Sequence, residues 1–257
     1  IYESRPNVTV EAASLCFYAG NGLLLRGGSE AFHSNQLLVK IMKTVLSRYD
    51  LDEVINIVTT TDRSSVDEMA KMNQSLDVII PRGGEGLIRR IYEVATVPVI
   101  AHYKGNCHLY VDESADASDA IEITMNSQAQ RPGVCNALET LLVHNSIADS
   151  FMPSFLSHAS KAQLQIRGCK KTMSFSPDVI AATTQDYDTE FLDLILAVRI
   201  VSDLNEAIEH IQTYTSDHTE VILGNDQANI DHFIKSLDSS AIIVNASTRF
   251  NDGGQLG

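Results

Sequence analysis

Cys135 lies in the stretch of this sequence whose residue types are best suited to covalent chemistry. Pro132 and Gly133 predict a turn directly before it, and Pro132 biases Arg131 towards an extended conformation. The apolar run 141–143 predicts a buried strand or the start of a helix. At a helix N-terminus, unpaired backbone N–H groups favour a thiolate, which is the nucleophilic form. The pattern therefore predicts a reactive thiol in a stiff loop; the alternative is a small, buried, apolar cysteine.

The other cysteines and the histidines are weaker candidates for chemistry. Cys107 is the one rival nucleophile, Cys16 lies on a predicted apolar helix, and Cys169 stands beside two lysines. Four cysteines without a CxxC pair predict neither a zinc site nor a disulfide framework. The sequence has no HExxH motif, so we expect no metal site. Four histidines are interpreted as surface or satisfied polar residues: His102, His108, His210 and His218.

Two glycine loops, 26–29 and 82–86, follow predicted strands and precede predicted helices. Glycine lets the backbone approach a phosphate closely, and a helix N-terminus favours negative charge. Neither loop matches GxGxxG or a P-loop, and each alone is equally well explained as a tight turn. Two such loops in one sheet, each with an arginine, favour a nucleotide cofactor.

Predicted strands and helices alternate along the chain, which indicates an α/β fold with a parallel sheet. Ser29 and Glu30 are expected to cap a long helix after the first strand. Strands are expected at 22–25, 54–58, 76–80, 97–100 and 241–244, and a helix is expected at 204–214. We expect three parts: a partial Rossmann-like cofactor domain over 1–102, a catalytic domain over 103–245, and a segment over 246–257 that returns towards the cofactor domain.

The composition predicts a globular protein without a broad nucleic-acid surface. The 257 residues are 44% hydrophobic and 20% charged, and the formal net charge is -14. Nucleic acid requires a basic face, so anionic ligands would need local basic or N–H-rich pockets. No stretch approaches the ~20 apolar residues of a membrane span. With no signal peptide, we expect a cytoplasmic location and neither a nucleic-acid nor a membrane partner.

Six segments carry a resemblance in order along the whole chain: 2–9, 20–31, 80–84, 105–112, 131–140 and 244–250. They resemble the γ-glutamyl phosphate reductases of the aldehyde dehydrogenase superfamily. The resemblance implies an aldehyde dehydrogenase-like fold truncated at both ends. It also implies NADPH-dependent reduction of L-glutamyl 5-phosphate to L-glutamate 5-semialdehyde with phosphate release, in proline biosynthesis. A homo-oligomer in the full-length parent and a glutamate 5-kinase, as partner or fused domain, complete the expectation.

The same resemblance implies roles for individual residues. Cys135 would form the thioester, and its backbone N–H and the Asn7 side chain would bind the oxyanion. The residues expected to meet the ribose and 2′-phosphate of NADP are Arg26, Gly27, Gly28, Ser29 and Glu30. Those expected at the pyrophosphate and nicotinamide are Pro81, Arg82, Gly83 and Gly84. The substrate pocket would contain Asn136, Asn245, Ser247, Thr248, Arg249 and Phe250, with Arg249 as a carboxylate partner.

One departure separates this chain from hydrolytic aldehyde dehydrogenases. Those enzymes carry Glu-Leu-Gly-Gly, whose glutamate activates water, where residues 102–106 here read His-Tyr-Lys-Gly-Asn. An enzyme that protects its thioester from water has no use for that base. Two alternatives stay open: another acylating aldehyde dehydrogenase with a different acyl donor, and a non-catalytic fragment or assembly subunit of this fold.

Overall fold

The computed structural model describes residues 1–3, 5–101 and 104–251. The chain divides into two compact units, Ile1–Tyr103 and Lys104–Gly257. Within the described residues, no helix is both long enough and apolar enough to cross a membrane. His102 and the final residues from 252 onwards, which carry some of the sequence expectations, lie outside the described part.

In its described residues, the first unit has four helices and two short parallel strands. Helices α1 to α4 are Asn7–Tyr18, Phe32–Leu46, Ser64–Ala70 and Glu85–Val94, and strands β1 and β2 are Leu23–Leu25 and Ile55–Ile57. The strands pair with Leu24 opposite Asn56. Ser29 and Glu30 do not cap α2: they open a 3-10 turn, Ser29–Ala31, and α2 begins at Phe32 without a side-chain cap.

The strands expected at 76–80 and 97–100 are reduced to one isolated parallel bridge between Ile79 and Val99. Ile79 donates to the carbonyl of Pro98, and Ile100 donates back to Ile79. Pro81 and Pro98 explain the shortness, because proline has no N–H and cannot donate to a ladder. Within these two segments Ile79 and Val97 are buried, whereas Val78, Ile80 and Ile100 are exposed.

The second unit is built on a parallel sheet. Its strands β3 to β9 are Cys107–Val111, Leu138–His144, Gln165–Gly168, Ile180–Ala181, Ile195–Val201, Thr219–Leu223 and Ala241–Val244. Its helices α5 to α10 are Ala117–Ala129, Ala148–Lys161, Lys170–Met173, Thr184–Tyr187, Leu204–Tyr214 and Gln227–Ser236. Over the described residues the strand order is β6-β5-β7-β4-β3-β8-β9, with every pair parallel.

Both faces of this sheet are covered, so its central strands carry buried apolar side chains on both faces. Successive side chains of β4 point to opposite faces: Leu141 packs with Phe151 and Phe155 of α6, and Leu142 packs with Phe233 of α10. Each fully buried phenylalanine contributes about 1.5–3 kcal/mol through burial. This two-sided core fixes the ends of β3, β4 and β8, where the candidate site lies.

Residues 246–251 are the described part of the segment 246–257, whose return towards the cofactor domain stays a prediction. They contain a 3-10 turn, Thr248–Phe250, that packs against α5 and β8 within the second unit. Ser247 begins this turn by accepting a hydrogen bond from the N–H of Arg249. The described part of this segment therefore belongs to the second unit.

Candidate active site

Cys135 is exposed in the turn between α5 and β4. The N–H of Ala137 donates to the carbonyl of Val134 across this turn at 3.0 Å. Strand β4 begins at Leu138, so the buried-strand alternative for 141–143 is confirmed and Cys135 does not lie at a helix N-terminus. Cys135 accordingly lies at the amino end of the parallel sheet, whereas ligand sites in open α/β sheets usually lie at the carboxyl end.

Segment 247–251 holds Asn136, the residue that follows the thiol, through both its main chain and its side chain. Thr248 Oγ1 donates to the carbonyl oxygen of Asn136 at 2.6 Å. The Asn136 amide donates to the carbonyl of Asn251 at 2.8 Å, and the Asn251 amide donates to Thr219 Oγ1 at 2.7 Å. Cys135 is thus exposed on a turn that is bonded to segment 247–251, and this segment is in turn bonded to the first residue of β8.

Cys107 lies under this turn and does not act as a rival nucleophile. Its side chain is fully buried, and its Sγ donates to the carbonyl oxygen of Cys135 at 3.3 Å. Burial, followed by the nearby carboxylates of Glu220 and Glu139, raises the pKa of this thiol well above its usual value. A buried neutral thiol cannot supply the thiolate that covalent chemistry needs.

Four of the predicted substrate residues lie in the 247–250 segment. Ser247 and Thr248 are buried. The hydroxyl of Ser127 donates to Ser247 Oγ and accepts from the N–H of Thr248. Arg249 Nε donates to Gln130 Oε1 at 3.0 Å, while its Nη1 is buried without a hydrogen-bond partner among the described residues. Phe250 is 69% exposed. The unsatisfied guanidinium nitrogen is a donor of the kind a substrate carboxylate would use.

Asn245 has a structural explanation that needs no substrate. Its amide both accepts from the N–H of Gly224 and donates to the carbonyl of Gly224, at 2.9 Å each. Its φ of 53° lies in the left-handed region, which asparagine tolerates better than most residues. These bonds tie the end of β9 to the end of β8, and a substrate contact for Asn245 stays only a prediction.

Residues of the first unit already fill the space around the first glycine loop. Arg26 donates to the carbonyl oxygens of Gly27, Thr61 and Asp62, so its terminal nitrogens are engaged. A Cβ on Gly27 would overlap the Asn35 amide. Glycine at this position is therefore explained by internal packing, and a 2′-phosphate would have to replace the carbonyl partners of Arg26. The roles of Gly28, Ser29 and Glu30 stay predictions.

The second glycine loop fits an anion better. Gly84 lies at the N-terminal end of α4, and its N–H donates to Glu3 Oε1 at 2.9 Å. A carboxylate oxygen thus already occupies the position expected for a phosphate oxygen. Space is open beside Gly84 and Gly86, whereas a Cβ on Gly83 would contact Leu87. The predicted roles of Pro81, which is buried, and of the exposed Arg82 are compatible with this arrangement but not tested by it.

Asn7, the other predicted oxyanion donor, opens α1 in the first unit. Its amide nitrogen donates to Glu11 Oε1 at 3.0 Å, one turn further along the helix. This pair accounts for one of the two amide hydrogens. The role of Asn7 at an oxyanion stays a prediction.

Sequence reasoning missed a buried polar cluster beside Cys107. His108 and Glu220 are fully buried, and His108 Nδ1 lies 3.0 Å from Glu220 Oε2. The His210 ring lies edge-on to that of His108, and burial, followed by the charge of His108, lowers the pKa of His210 to about 3. These two histidines were interpreted as surface or satisfied polar residues. Neither lies on the surface: His108 is bonded to Glu220, and both ring nitrogens of His210 lack a hydrogen-bond partner among the described residues. Their placement on elements with strong apolar patterns, β3 and α9, was the available signal.

Glu139 is a second buried acid that the sequence analysis did not single out. Its Oε1 accepts from the N–H of Leu192 at 3.3 Å, and its Oε2 has no hydrogen-bond partner among the described residues. Burial, and to a smaller extent Glu190, raise the pKa of Glu139 to about 8 against the lowering effect of the backbone N–H groups. Across the described residues, no group of three or more histidines, cysteines or acids is arranged to hold a metal.

Comparisons with known proteins agree on one family. Residues 6–177 match the aldehyde dehydrogenase family. The gamma-glutamyl phosphate reductase of Kosmotoga olearia is 53% identical, in a match that covers 100% of this chain and 62% of that protein. The crystal structure of the same-named enzyme from Thermotoga maritima is 47% identical with a TM-score of 0.96, and covers 100% of this chain and 62% of that one.

A more distant structure shows the fold alone. An engineered glycolyl-CoA reductase with bound NADP+ is 16% identical with a TM-score of 0.67, over 96% of this chain and 65% of that one. The fold is therefore of the aldehyde dehydrogenase type, as expected. The chain spans about 62% of the length of the Kosmotoga and Thermotoga enzymes.

Proposed function

Because the chain belongs to the aldehyde dehydrogenase family, we propose that it contains the catalytic part of a reductase for an acyl phosphate. The reaction is the reduction of L-glutamyl 5-phosphate to L-glutamate 5-semialdehyde with release of phosphate. The observation that carries the proposal is the exposed thiol of Cys135 on a turn whose main chain is held by Cys107 and Thr248. The identity of 53% to a protein named for this reaction supports the substrate.

Cys135 acts as the nucleophile in this reaction. Its thiolate attacks the acyl carbon, the C–S bond forms, and the bond to the phosphate oxygen breaks. Phosphate leaves with the electron pair of that bond, and a thioester remains on Cys135. After reduction of the thioester carbon, the C–S bond breaks, the aldehyde leaves, and the thiolate is restored.

Fixed donors stabilise the oxyanion that develops at each tetrahedral stage. The backbone N–H of Cys135 is our first candidate, because the turn that carries it is held at residues on both sides. Arg249 Nη1, which is buried and has no hydrogen-bond partner among the described residues, would bind the α-carboxylate of the glutamyl group. Its partner Gln130 keeps the guanidinium in place, so little side-chain entropy is lost on binding.

NADPH is the cofactor that we propose, and when bound it supplies the two reducing electrons. Gly84 at the start of α4 would take a phosphate oxygen in place of Glu3 Oε1. Arg26 would contact the 2′-phosphate only after exchanging its bonds to the carbonyl oxygens of Thr61 and Asp62. The cytoplasmic location, the homo-oligomer and the glutamate 5-kinase partner stay predictions.

The reverse reaction tests the proposal, since the acyl phosphate is labile. Glutamate semialdehyde, NADP+ and phosphate are mixed with the protein, and NADPH formation is followed with and without phosphate. We expect phosphate-dependent NADPH formation that Cys135→Ser reduces by at least about a thousandfold. Cys169→Ser is the matched control, because Cys169 is the other candidate thiolate. Burial alone would raise the pKa of Cys169, but hydrogen bonds from the Thr172 hydroxyl and from backbone N–H groups outweigh burial and lower it.

The outcomes separate the alternatives. NADPH formation that ignores phosphate would indicate a hydrolytic or differently acylating relative. Equal loss in Cys169→Ser would remove the assignment of Cys135. Absence of turnover, both in this chain and in the longer polypeptide that contains it, would reject the reductase in favour of a non-catalytic fragment.

A further inference from the structure

Cys107 has a defined contact with Cys135 that the reaction itself does not use. Its Sγ donates to the carbonyl oxygen of Cys135 at 3.3 Å and also lies 3.7 Å from His218 Nδ1. A structural cysteine in a core normally has only apolar neighbours. Here the thiol instead lies between the main chain of the nucleophile and polar groups at the amino end of β8.

The surroundings of Cys107 keep it able to donate. Burial, then Glu220 and Glu139, raise its pKa well above the usual value, while the Thr219 hydroxyl acts in the opposite direction. The thiol therefore keeps its proton at the pH where Cys135 must react. Only a protonated sulfur can donate to a carbonyl oxygen.

The backbone around Cys107 is shaped to fit the same carbonyl. The register of β3 against β4 shifts between Cys107 and His108, and such irregularities commonly redirect a side chain near a site. The N–H of Cys107 donates to the carbonyl of Gly105 at 3.0 Å. A Cβ on Gly105 would overlap the carbonyl of Cys135, so glycine is required for this close approach.

Two successive carbonyl groups in the turn are thus each held by a side-chain donor from a different segment. Cys107 holds the carbonyl of Cys135, and Thr248 holds that of Asn136 at 2.6 Å. Fixing the first carbonyl fixes the peptide plane after Cys135 and hence the ψ angle of the nucleophile. The direction of the Cys135 side chain depends on that backbone geometry.

We propose that Cys107 is a positioning residue whose S–H bond to the Cys135 carbonyl aims the nucleophilic thiol. The proposal rests on Cys135 as the nucleophile of the proposed function. It assigns a task to the cysteine that would otherwise be a rival nucleophile.

The test measures the rate at which iodoacetamide alkylates Cys135, resolved from the other cysteines by mass spectrometry, across pH 6–9. The wild type is compared with Cys107→Ala, which has no donor, and Cys107→Ser, which keeps one. We expect Cys107→Ala to slow Cys135 alkylation at pH 7 on the order of fivefold, the effect of one hydrogen bond. Cys107→Ser should restore most of the rate.

A purely structural role would lower the free energy of unfolding of both variants and leave the pH profile of Cys135 alkylation unchanged. Unchanged alkylation in Cys107→Ala, or equal rates in Cys107→Ala and Cys107→Ser, overturns the proposal. If Cys107→Ala does not fold, Cys107→Val fills the buried volume without a donor and takes its place. Alkylation needs neither substrate nor NADPH, so this result is independent of whether the reductase reaction is confirmed.

Discussion

At the scale of single residues, environment decides what each thiol of the second unit can do. Cys135 is exposed in a turn, Cys107 is buried with its pKa raised, and Cys169 has its pKa lowered through hydrogen bonds that outweigh burial. The sequence indicated Cys135 through its Pro-Gly turn and its resemblance to a family. It could not show that Cys107 lies beneath Cys135, because the two are 28 residues apart and meet only through strand pairing.

Glu139 gives a prediction about stability and pH. Its pKa is about 8 in the folded protein, chiefly because of burial, against 4.5 for an ordinary exposed glutamate. The unfolded chain therefore releases this proton at lower pH than the folded chain does. The stabilising contribution is fully present below pH 4.5 and is lost as the pH rises through about 8. Glu139→Gln, which stays neutral, should remove this loss.

The measurement is the free energy of unfolding by urea, followed by circular dichroism at about pH 5 and about pH 8. The stability of Glu139→Gln relative to the wild type should increase between these values by on the order of 1 kcal/mol or more. Glu122→Gln, an exposed acid on α5, is the control and should show no such change. A constant difference between Glu139→Gln and the wild type would mean that Glu139 is ionised in the folded protein.

At the scale of elements, periodic segments were predicted well and irregular ones were not. Helix α9 and strand β9 have the expected bounds, Leu204–Tyr214 and Ala241–Val244, because each carries a clear apolar pattern. The strands predicted at 76–80 and 97–100 are reduced to one bridge, because prolines interrupt their pairing. The short apolar run after Cys135 did not distinguish strand from helix, and the thiolate argument depended on that distinction.

The short helix α8 illustrates how one acid fixes an irregular region. Asp186 accepts from both the N–H and the hydroxyl of Thr183, forming a capping box, and pairs with Arg167 of β5. Burial opposes ionisation, but these bonds lower the pKa of Asp186 below its usual value. Its stabilising contribution is present above pH 3.8 and is lost as the pH falls through the folded pKa.

We therefore expect Asp186→Asn to lower the free energy of unfolding at pH 7 by about 1–2 kcal/mol. The difference from the wild type should shrink below pH 3.8, where the wild-type carboxylate also becomes protonated. Urea unfolding at both pH values provides the measurement, with the exposed Asp178→Asn as control. Equal destabilisation at both values would assign the effect to packing rather than to charge.

At the scale of the whole molecule, the six resembling segments identified which parts of the chain matter but not which of them touch. The contact between Thr248 and Asn136 joins residues 112 apart in sequence. It forms because the 3-10 turn after β9 packs against α5 and β8, which no local pattern encodes. The same limitation applies to Arg26, which donates to Thr61, and to Glu3, which accepts from Gly84. The sequence of the two glycine loops does not indicate these partners.

The net charge of -14 gives a prediction for the whole molecule, because its negative field should repel anionic reagents from Cys135. At an ionic strength of 0.01 M the screening length is about 30 Å, and at 0.15 M it is about 8 Å. Raising the salt between these values at constant pH should therefore speed alkylation of Cys135 by the anion iodoacetate about two- to threefold. Neutral iodoacetamide, the control reagent, should change little. If salt instead slows iodoacetate, the potential at Cys135 is positive despite the net charge, and local cations rather than the overall field govern the approach of anions to this thiol.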